Sequence, residues 1–407
     1  MISPKKLSDI AVIYNGNSIN KTVKQEKYMN DVLGWNYIGT KDIGFDGTIT
    51  YKTGVIIPFS ETKFRTAPAG TVFVCSEGGS AGKKTALVKE EVCFGNKLFA
   101  IVNKNDEFTP KYIYYYTRYE AFLRQFKSMA STLMGGITVK NFGNIKIPVP
   151  PLPEQERIVA RIEELFSELD KAVETLKTTK QQLAVYRQAV LKEAFDVALK
   201  YTEKLMSIEE FLVTDRKGMS TGPFGTMIKK HEHKQDGVPM LGIENIGEGK
   251  FVNGNKIFVT KEKAKELKSF VLKSGDIIIS RSGTVGEICA VPAYMEGALL
   301  STNLMRVSLN LQKVLSEYFI YMFQSKGVVL DQVKELCKGS TRIFLNQTIL
   351  KQIKFPIPSI AKQKEIISEI EARMSTCGSI EKTVDTALQQ AEAMRQSILK
   401  QAFEGRL

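Results

Sequence analysis

The feature that most constrains this chain is that it is written twice. Residues 147–164 read IPVPPLPEQERIVARIEE and residues 355–372 read FPIPSIAKQKEIISEIEA. At an offset of 208, Pro148 falls on Pro356, Gln155 on Gln363, Ile158 on Ile366 and Glu163 on Glu371. The same offset, without a gap, carries RQAVLKEAF from Arg187 onto RQSILKQAF from Arg395. Small gaps extend the match upstream. YIGTKDI at 37–43 answers MLGIENI at 240–246, and GTVFVCSEGGSAG at 70–82 answers GDIIISRSGTVG at 275–286. YIYYY at 112–116 answers YFIYM at 318–322, and Ala130-Ser131-Thr132 answers Gly339-Ser340-Thr341. Such self-similarity is the mark of a repeated architecture. Its order is globule, helix, globule, helix, with expected bounds of 1–150, 151–200, 201–358 and 359–407.

The shorter repeats read as long helices. Pro150 and Pro151 end the preceding unit, and Pro153 with Glu154 and Glu156 suits a helix start, where acids complement the dipole. Ile158, Ile162, Leu165, Leu169, Ala172, Leu176, Thr179, Leu183, Tyr186 and Val190 then alternate by four and three, an a/d heptad seam. About 45 residues without Gly or Pro would span roughly 65–70 Å. The second copy repeats the seam with Ile366, Ile370, Ile380, Val384, Ala387, Ala391, Met394 and Ile398, weakened at Arg373 and Cys377. One such helix cannot bury its stripe alone, so an antiparallel coiled-coil pair within the chain is expected. Leu191, Phe195 and Leu399 either seal that pair or meet other proteins.

The longer repeats read as α/β units, with short Val/Ile/Phe strands, Gly-rich turns, and helices near 110–127 and 315–337. They also hold the charge. The chain carries 57 Lys and Arg against 44 Asp and Glu, a net +13. Residues 154–200 hold 8 basic and 9 acidic side chains, and residues 359–407 hold 7 of each. The helices are therefore neutral, and the whole excess, +14, lies in the other parts of the chain. Basic globules on a neutral scaffold suit a polyanion such as nucleic acid. A protein-binding coiled-coil adaptor, the alternative class, has no reason for this separation.

One run imitates a phosphate-binding loop. In SEGGSAGKKT, residues 76–85, Gly82-Lys83 is followed by Lys84 where a P-loop needs Ser or Thr. Its counterpart in the second copy is Gly283-Thr284-Val285-Gly286-Glu287, so a Glu replaces the Lys. A strand-ending turn is the better reading. The five cysteines are scattered with no CxxC, which favours a reducing cytoplasm over a disulfide or zinc framework. No apolar run approaches the roughly 18 residues of a membrane span.

With these residues in view, the chain resembles the specificity subunit of type I restriction–modification enzymes. The resemblance rests on PLPEQERIVARIEELF, the RQAVLKEAF and RQSILKQAF pair, the G-[ST]-x-G turns, GPFGT at 222–226 and the terminal FEGRL. It covers essentially the whole chain. It implies two target recognition domains, each reading half of a bipartite site on double-stranded DNA. The helices would set the unread spacer and dock two methyltransferase subunits. Those partners would bind S-adenosylmethionine and methylate adenine N6. Motor-nuclease subunits would add ATP- and Mg-dependent translocation and cleavage. A pseudo-two-fold reader would meet half-sites about one helical turn apart. Because the two recognition domains differ outside the shared turns, their half-sites should differ too.

The chain itself is expected to be non-catalytic and to bind no cofactor. It lacks an Asn/Asp-Pro-Pro-aromatic loop, a dinucleotide fingerprint and a Ser/His or Cys/His pair. His231 and His233 stand among Lys229, Lys230 and Lys234, which reads as a basic loop rather than a metal site. The DNA-contact candidates are Lys83, Lys84, Ser131, Thr132, Arg216, Lys217, Lys229, Lys230, Arg281, Thr341 and Arg342. The tyrosines at 112–119 read as the packed face of a helix.

Overall fold

A computed structural model describes all of the chain except residues 1–2, 30–32, 105, 131–135, 225–226 and 337–343. It resolves into two compact units. One combines residues 1–176 with 385–407, and the other holds residues 177–384. The division passes through both long helices, so each unit owns a recognition domain and a helix pair.

The two units share the topology of a four-stranded antiparallel sheet. In the first, an antiparallel sheet runs Ala11–Asn15, Leu98–Asn103, Val72–Cys75, Thr85–Leu87. In the second, the order is Met219–Thr221, Leu304–Val307, Ile277–Ser280, Ile288–Ala290. Each unit also has a second sheet with one parallel pair, Gly34–Ile38 with Val92–Phe94 and Val238–Leu241 with Leu299–Leu300. The central strands VFVC and IIIS are buried throughout because both faces are covered. Val72 and Val74 face a core with Tyr112 and Phe122, whereas Phe73 and Cys75 face Ile38 and Phe94. Ile277 and Ile279 likewise part from Ile278. This is the two-residue alternation of a strand.

The helices expected near 110–127 and 315–337 are both broken. The first divides into Pro110–Thr117 and Glu120–Ser128, and the second into Ser316–Gln324, a π-helical turn at Lys326–Leu330, and Asp331–Leu336. Tyr112 and Tyr318 are buried in the two cores, and each hydroxyl donates to the carbonyl of Pro148 or Pro356 at 2.8 Å.

The central helix runs Leu152–Lys200 and the terminal helix Ile360–Phe403, uninterrupted at Gly378. Their pairing is antiparallel. In the first unit Arg395 meets Asp170; in the second, Arg187 meets Glu381 at 2.7 Å and Arg373 meets Glu193 at 2.8 Å. Each rise in one residue number is matched by a fall in the other.

The seam is narrower than the sequence suggests. Only one heptad row is continuously covered. In the terminal helix it is Gln363, Ile370, Cys377, Val384 and Ala391, all buried at seven-residue steps. In the central helix Gln155, Ile162, Leu183 and Val190 are buried, with Leu169 and Leu176 half-buried on the same row. The alternate row fails away from the domains. Ile380, Met394, Ala172 and Tyr186 are exposed, and Leu165 and Thr179 are half-buried. Away from the domains the two helices cover one row each, and further residues are buried where a third surface is added. That surface is the recognition domain. Ile158, Val159, Ile162 and Phe166 join the first domain's core, and Leu191, Ala194, Phe195, Ala198, Ile366 and Ile370 join the second's. Ile398 packs half-buried beside Leu399 on the first core. Leu191, Phe195 and Leu399 thus seal helix to domain, and Cys377 is a seam residue rather than a weak point.

Candidate nucleic-acid interface

The strand directions bring five strand ends together at one end of each unit. In the first, strands Ala11–Asn15, Gly34–Ile38 and Val72–Cys75 all finish there, and strands Leu98–Asn103 and Thr85–Leu87 begin there. Main-chain bonds knit the connections together. Ser76 N–H donates to Lys97 O at 2.9 Å, Gly95 N–H to Ile38 O at 2.9 Å, and Ile137 N–H to Ser76 O at 3.2 Å. The second unit repeats each bond: Arg281 N–H to Asn303 O at 2.9 Å, Ser301 N–H to Leu241 O at 3.1 Å, and Leu345 N–H to Arg281 O at 3.0 Å. So the G-[ST]-x-G turn and the segment that resumes after residues 131–135 or 337–343 are tied together in both copies. Ser131, Thr132, Thr341 and Arg342 themselves lie outside the described residues.

The turns close hairpins. Cys75 N–H donates to Lys84 O at 3.0 Å and Gly82 N–H to Cys75 O at 2.9 Å; Ser280 N–H donates to Glu287 O at 2.8 Å and Gly286 N–H to Ser280 O at 3.1 Å. A strand, Thr85–Leu87, follows the first turn. A phosphate-cradling loop would open a helix there, so the hairpin excludes the P-loop reading. The backbone pairing also revises the alignment of the two copies, because Lys84 rather than Lys83 holds the position equivalent to Glu287. Gly82 and Gly286 adopt φ of +68° and +89°, and a Cβ on either would meet Phe126 or Leu330 within 3 Å. Only glycine fits both demands. GPFGT begins at a similar constraint. A Cβ on Gly222 would lie 1.9 Å from Ser301 O, as one on Gly16 would from Phe94 O.

The basic candidates divide by what already holds them. Lys83 is exposed on the first turn. Lys84 is half-buried, donates to Thr40 O at 3.1 Å and lies over the Phe45 ring at 5.0 Å. Lys217 is exposed at the side chain, while its carbonyl accepts from Arg306 at 2.7 Å. Lys229 and Lys230 are exposed in the loop that carries His231 and His233. A cleft of about 280 Å³ lies between His233, Gly242, Glu244 and Ser301–Asn303, which puts this loop beside the second unit's connections.

Two candidates are already engaged within the domain. Arg216 is engaged in a two-pronged pair with buried Asp276, which also accepts from Ser308 Oγ at 2.7 Å and Lys273 N–H at 2.8 Å. That guanidinium is fixed within the domain rather than displayed. Arg281 donates to Leu345 O at 3.3 Å and Thr302 O at 3.2 Å and stacks on Phe344 at 4.8 Å. Burial pushes its pKa down from the ordinary value. It keeps further N–H groups for a ligand.

Sequence reading missed Lys24, Lys41, Asn303, Phe45 and Phe344. Lys24 lies over Tyr37 at 4.4 Å, and Lys41 is close enough to help lower its pKa, after burial. Lys41 and Asn303 stand near strand ends, Lys24 lies in the helix Lys21–Lys27, and Phe45 and Phe344 lie in loops, so no shared sequence signal marks them. Burial pushes the Cys75 thiol up to about 11 and the Cys289 thiol up to about 12, which keeps both protonated and unreactive at neutral pH. Among the described residues no His/Cys/Asp/Glu cluster is arranged to hold a metal.

A family model described as "Type I restriction modification DNA specificity domain" matches residues 2–184 and 223–390. The Escherichia coli type I restriction enzyme EcoBI specificity subunit is 24% identical over 98% of this chain and 85% of its own length. The Methanocaldococcus jannaschii MjaVIII specificity subunit is 24% identical over 73% of this chain and 70% of its own. Two solved structures share the fold at 16% identity. One, from work on assembly and conformational transition of the type I R-M system, superposes with a TM-score of 0.69 over all of this chain and 98% of that one. The HsdS subunit from Thermoanaerobacter tengcongensis gives 0.52 over all of this chain and 97% of that one.

Proposed function

The chain belongs to the type I restriction modification DNA specificity family, and from that premise we propose that it is the DNA-reading subunit of a type I restriction–modification complex. Each unit reads one half of a bipartite site on double-stranded DNA through the connections gathered at one end of its sheets. The observation that carries this reading is the repetition of that loop end, bond for bond, in two units whose side chains there differ. Equal frames with unequal side chains suit two unlike half-sites. Phosphate contacts from exposed lysines such as Lys83, Lys229 and Lys230 supply affinity, and base-edge contacts supply specificity.

The helices set the spacer and present docking surfaces for two methyltransferase subunits. Those subunits supply S-adenosylmethionine and adenine-N6 methylation, and motor-nuclease subunits supply ATP- and Mg-dependent work. The chain contributes recognition rather than chemistry. Its setting is the cytoplasm; among the described residues no helix is long and apolar enough to cross a membrane.

The test is a genome-wide map of N6-methyladenine in cells with and without this gene. A bipartite motif that vanishes on deletion supports the reading. If no motif depends on the gene even with the partner subunits expressed, the coiled-coil adaptor reading takes its place. A second measurement concerns Lys83→Ala. It should weaken DNA binding and lower the slope of log affinity against log salt by about one.

A further inference from the structure

At the loop end of each unit an exposed phenylalanine rests against a cation that is itself tied to the main chain. In the first unit Phe45, 63% exposed, lies under Lys84, whose Nζ is held by Thr40 O. In the second, Phe344, 40% exposed, lies under Arg281, which is held by Leu345 O and Thr302 O. The two rings come from unrelated loops, so duplication alone does not account for them. Both cations flank the G-[ST]-x-G hairpin, Lys84 at its exit and Arg281 at its entry. Lys24 also covers a ring at this end, but that ring, Tyr37, is buried.

The first ring is held on a tight turn. Gly44 N–H donates to Thr48 O at 2.8 Å, and Asp46 Oδ1 accepts from Thr48 N–H at 3.0 Å and from Thr48 Oγ1 at 2.7 Å. A large apolar group fixed in water loses hydration free energy that it would recover against an apolar partner. At a basic surface that meets DNA, the apolar groups in reach are thymine methyls and the faces of unstacked bases. A cation beside the ring can hold the neighbouring phosphate at the same time.

We propose that Phe45 and Phe344 are specificity-determining residues, each packing on an apolar base edge of one half-site while Lys84 or Arg281 holds the adjacent phosphate. The inference rests on the DNA-reading function proposed above. It assigns one ring to each half-site, and it separates the work of ring and cation. Ring contacts carry sequence preference with no salt dependence; cation contacts carry salt dependence.

The experiment is methylome mapping of cells that express the full complex with Phe45→Ala, Phe45→Leu, Phe344→Ala or the unaltered chain, with thermal melts of each purified protein. Phe45→Ala should relax base preference by about tenfold at one position of one half-site. Phe344→Ala should do so only in the other half-site, and Phe45→Leu should retain most of the preference. Unaltered motifs in both alanine variants would overturn the inference and leave the DNA-reading function standing. Relaxation of both half-sites by one variant would also overturn it. Loss of all methylation with an unchanged melt would overturn it too, because partner docking would then be the role. A motif absent even with the unaltered chain would remove the DNA-reading function and this inference with it.

Discussion

Gln155 and Gln363 explain why the repeated motif is spelled as it is. Both are fully buried. Gln155 Nε2 donates to Glu107 O at 3.0 Å and Pro150 O at 2.8 Å, and its Oε1 accepts from Thr109 N–H at 2.9 Å. Gln363 donates to Lys313 O at 2.8 Å and Pro358 O at 2.9 Å and accepts from Leu315 N–H at 3.0 Å. Each amide joins the start of a long helix to the start of the domain helix before it. Removing a buried partner leaves polar groups unsatisfied. Gln155→Ala or Gln363→Ala should therefore cost about 2–3 kcal/mol by urea unfolding, and an unchanged midpoint would mean water replaces the amide. Asp276 is a sharper case, found only in the second unit. It lies 1% exposed between Arg216, Ser308 and the Lys273 amide, near buried Arg306. Asp276→Ala strands buried positive charge and should destabilise by about 3–5 kcal/mol. A calorimetric scan should show the second unit melting early while the first is unmoved.

At the scale of elements, the heptad pattern foretold two long helices and their antiparallel pairing. It overstated the width of the seam, because away from the domains the second row of the a/d pattern stays uncovered. Near the domains the facing surface is a sheet-and-helix core, which takes in Phe166, Leu191, Phe195 and Leu399 from neighbouring rows. Between them a single row remains, and Ile380 faces water. The ion pairs across the helices are partly exposed and screened by water, so they fix register more than stability. The stretch 167–182 contains no buried residue. Deleting about four residues there should spare both domain cores and change or abolish the unread spacer in the methylation motif. An unchanged spacer would sink the ruler role.

At the scale of the molecule, the C-terminal segment completes the first unit. The Phe403 ring lies 5.3 Å from Tyr112, 5.0 Å from Tyr116 and 5.9 Å from Tyr119, and Arg157 donates to the Leu407 carbonyl at 3.0 Å. Phe403→Ala should lower the stability of the first unit by about 2–4 kcal/mol, measured by chemical denaturation with a probe in residues 1–176. Equal loss in both units would mean that they unfold as one. Exchange of residues 1–147 for another recognition domain should alter one half-site of the methylation motif only. The incoming domain must still offer aromatic rings to Phe403. A change in both half-sites would refute independent reading.

Sequence alone determined the duplication, the alternation of domain and helix, and the chemistry of the family. These are written in local pattern: period seven in the helices, short apolar runs such as VFVC and IIIS for strands, glycines at the turns, and a charge excess confined to the domains. What each charged side chain is for was decided only by tertiary structure. Arg216 and Lys83 look alike as letters, yet one is locked onto Asp276 and the other stands free on a turn. Phe45 is an ordinary loop residue until the fold sets Lys84 above it. Side-chain partners come from strands and loops far apart in the chain, and their meeting depends on sheet topology, which no local periodicity encodes.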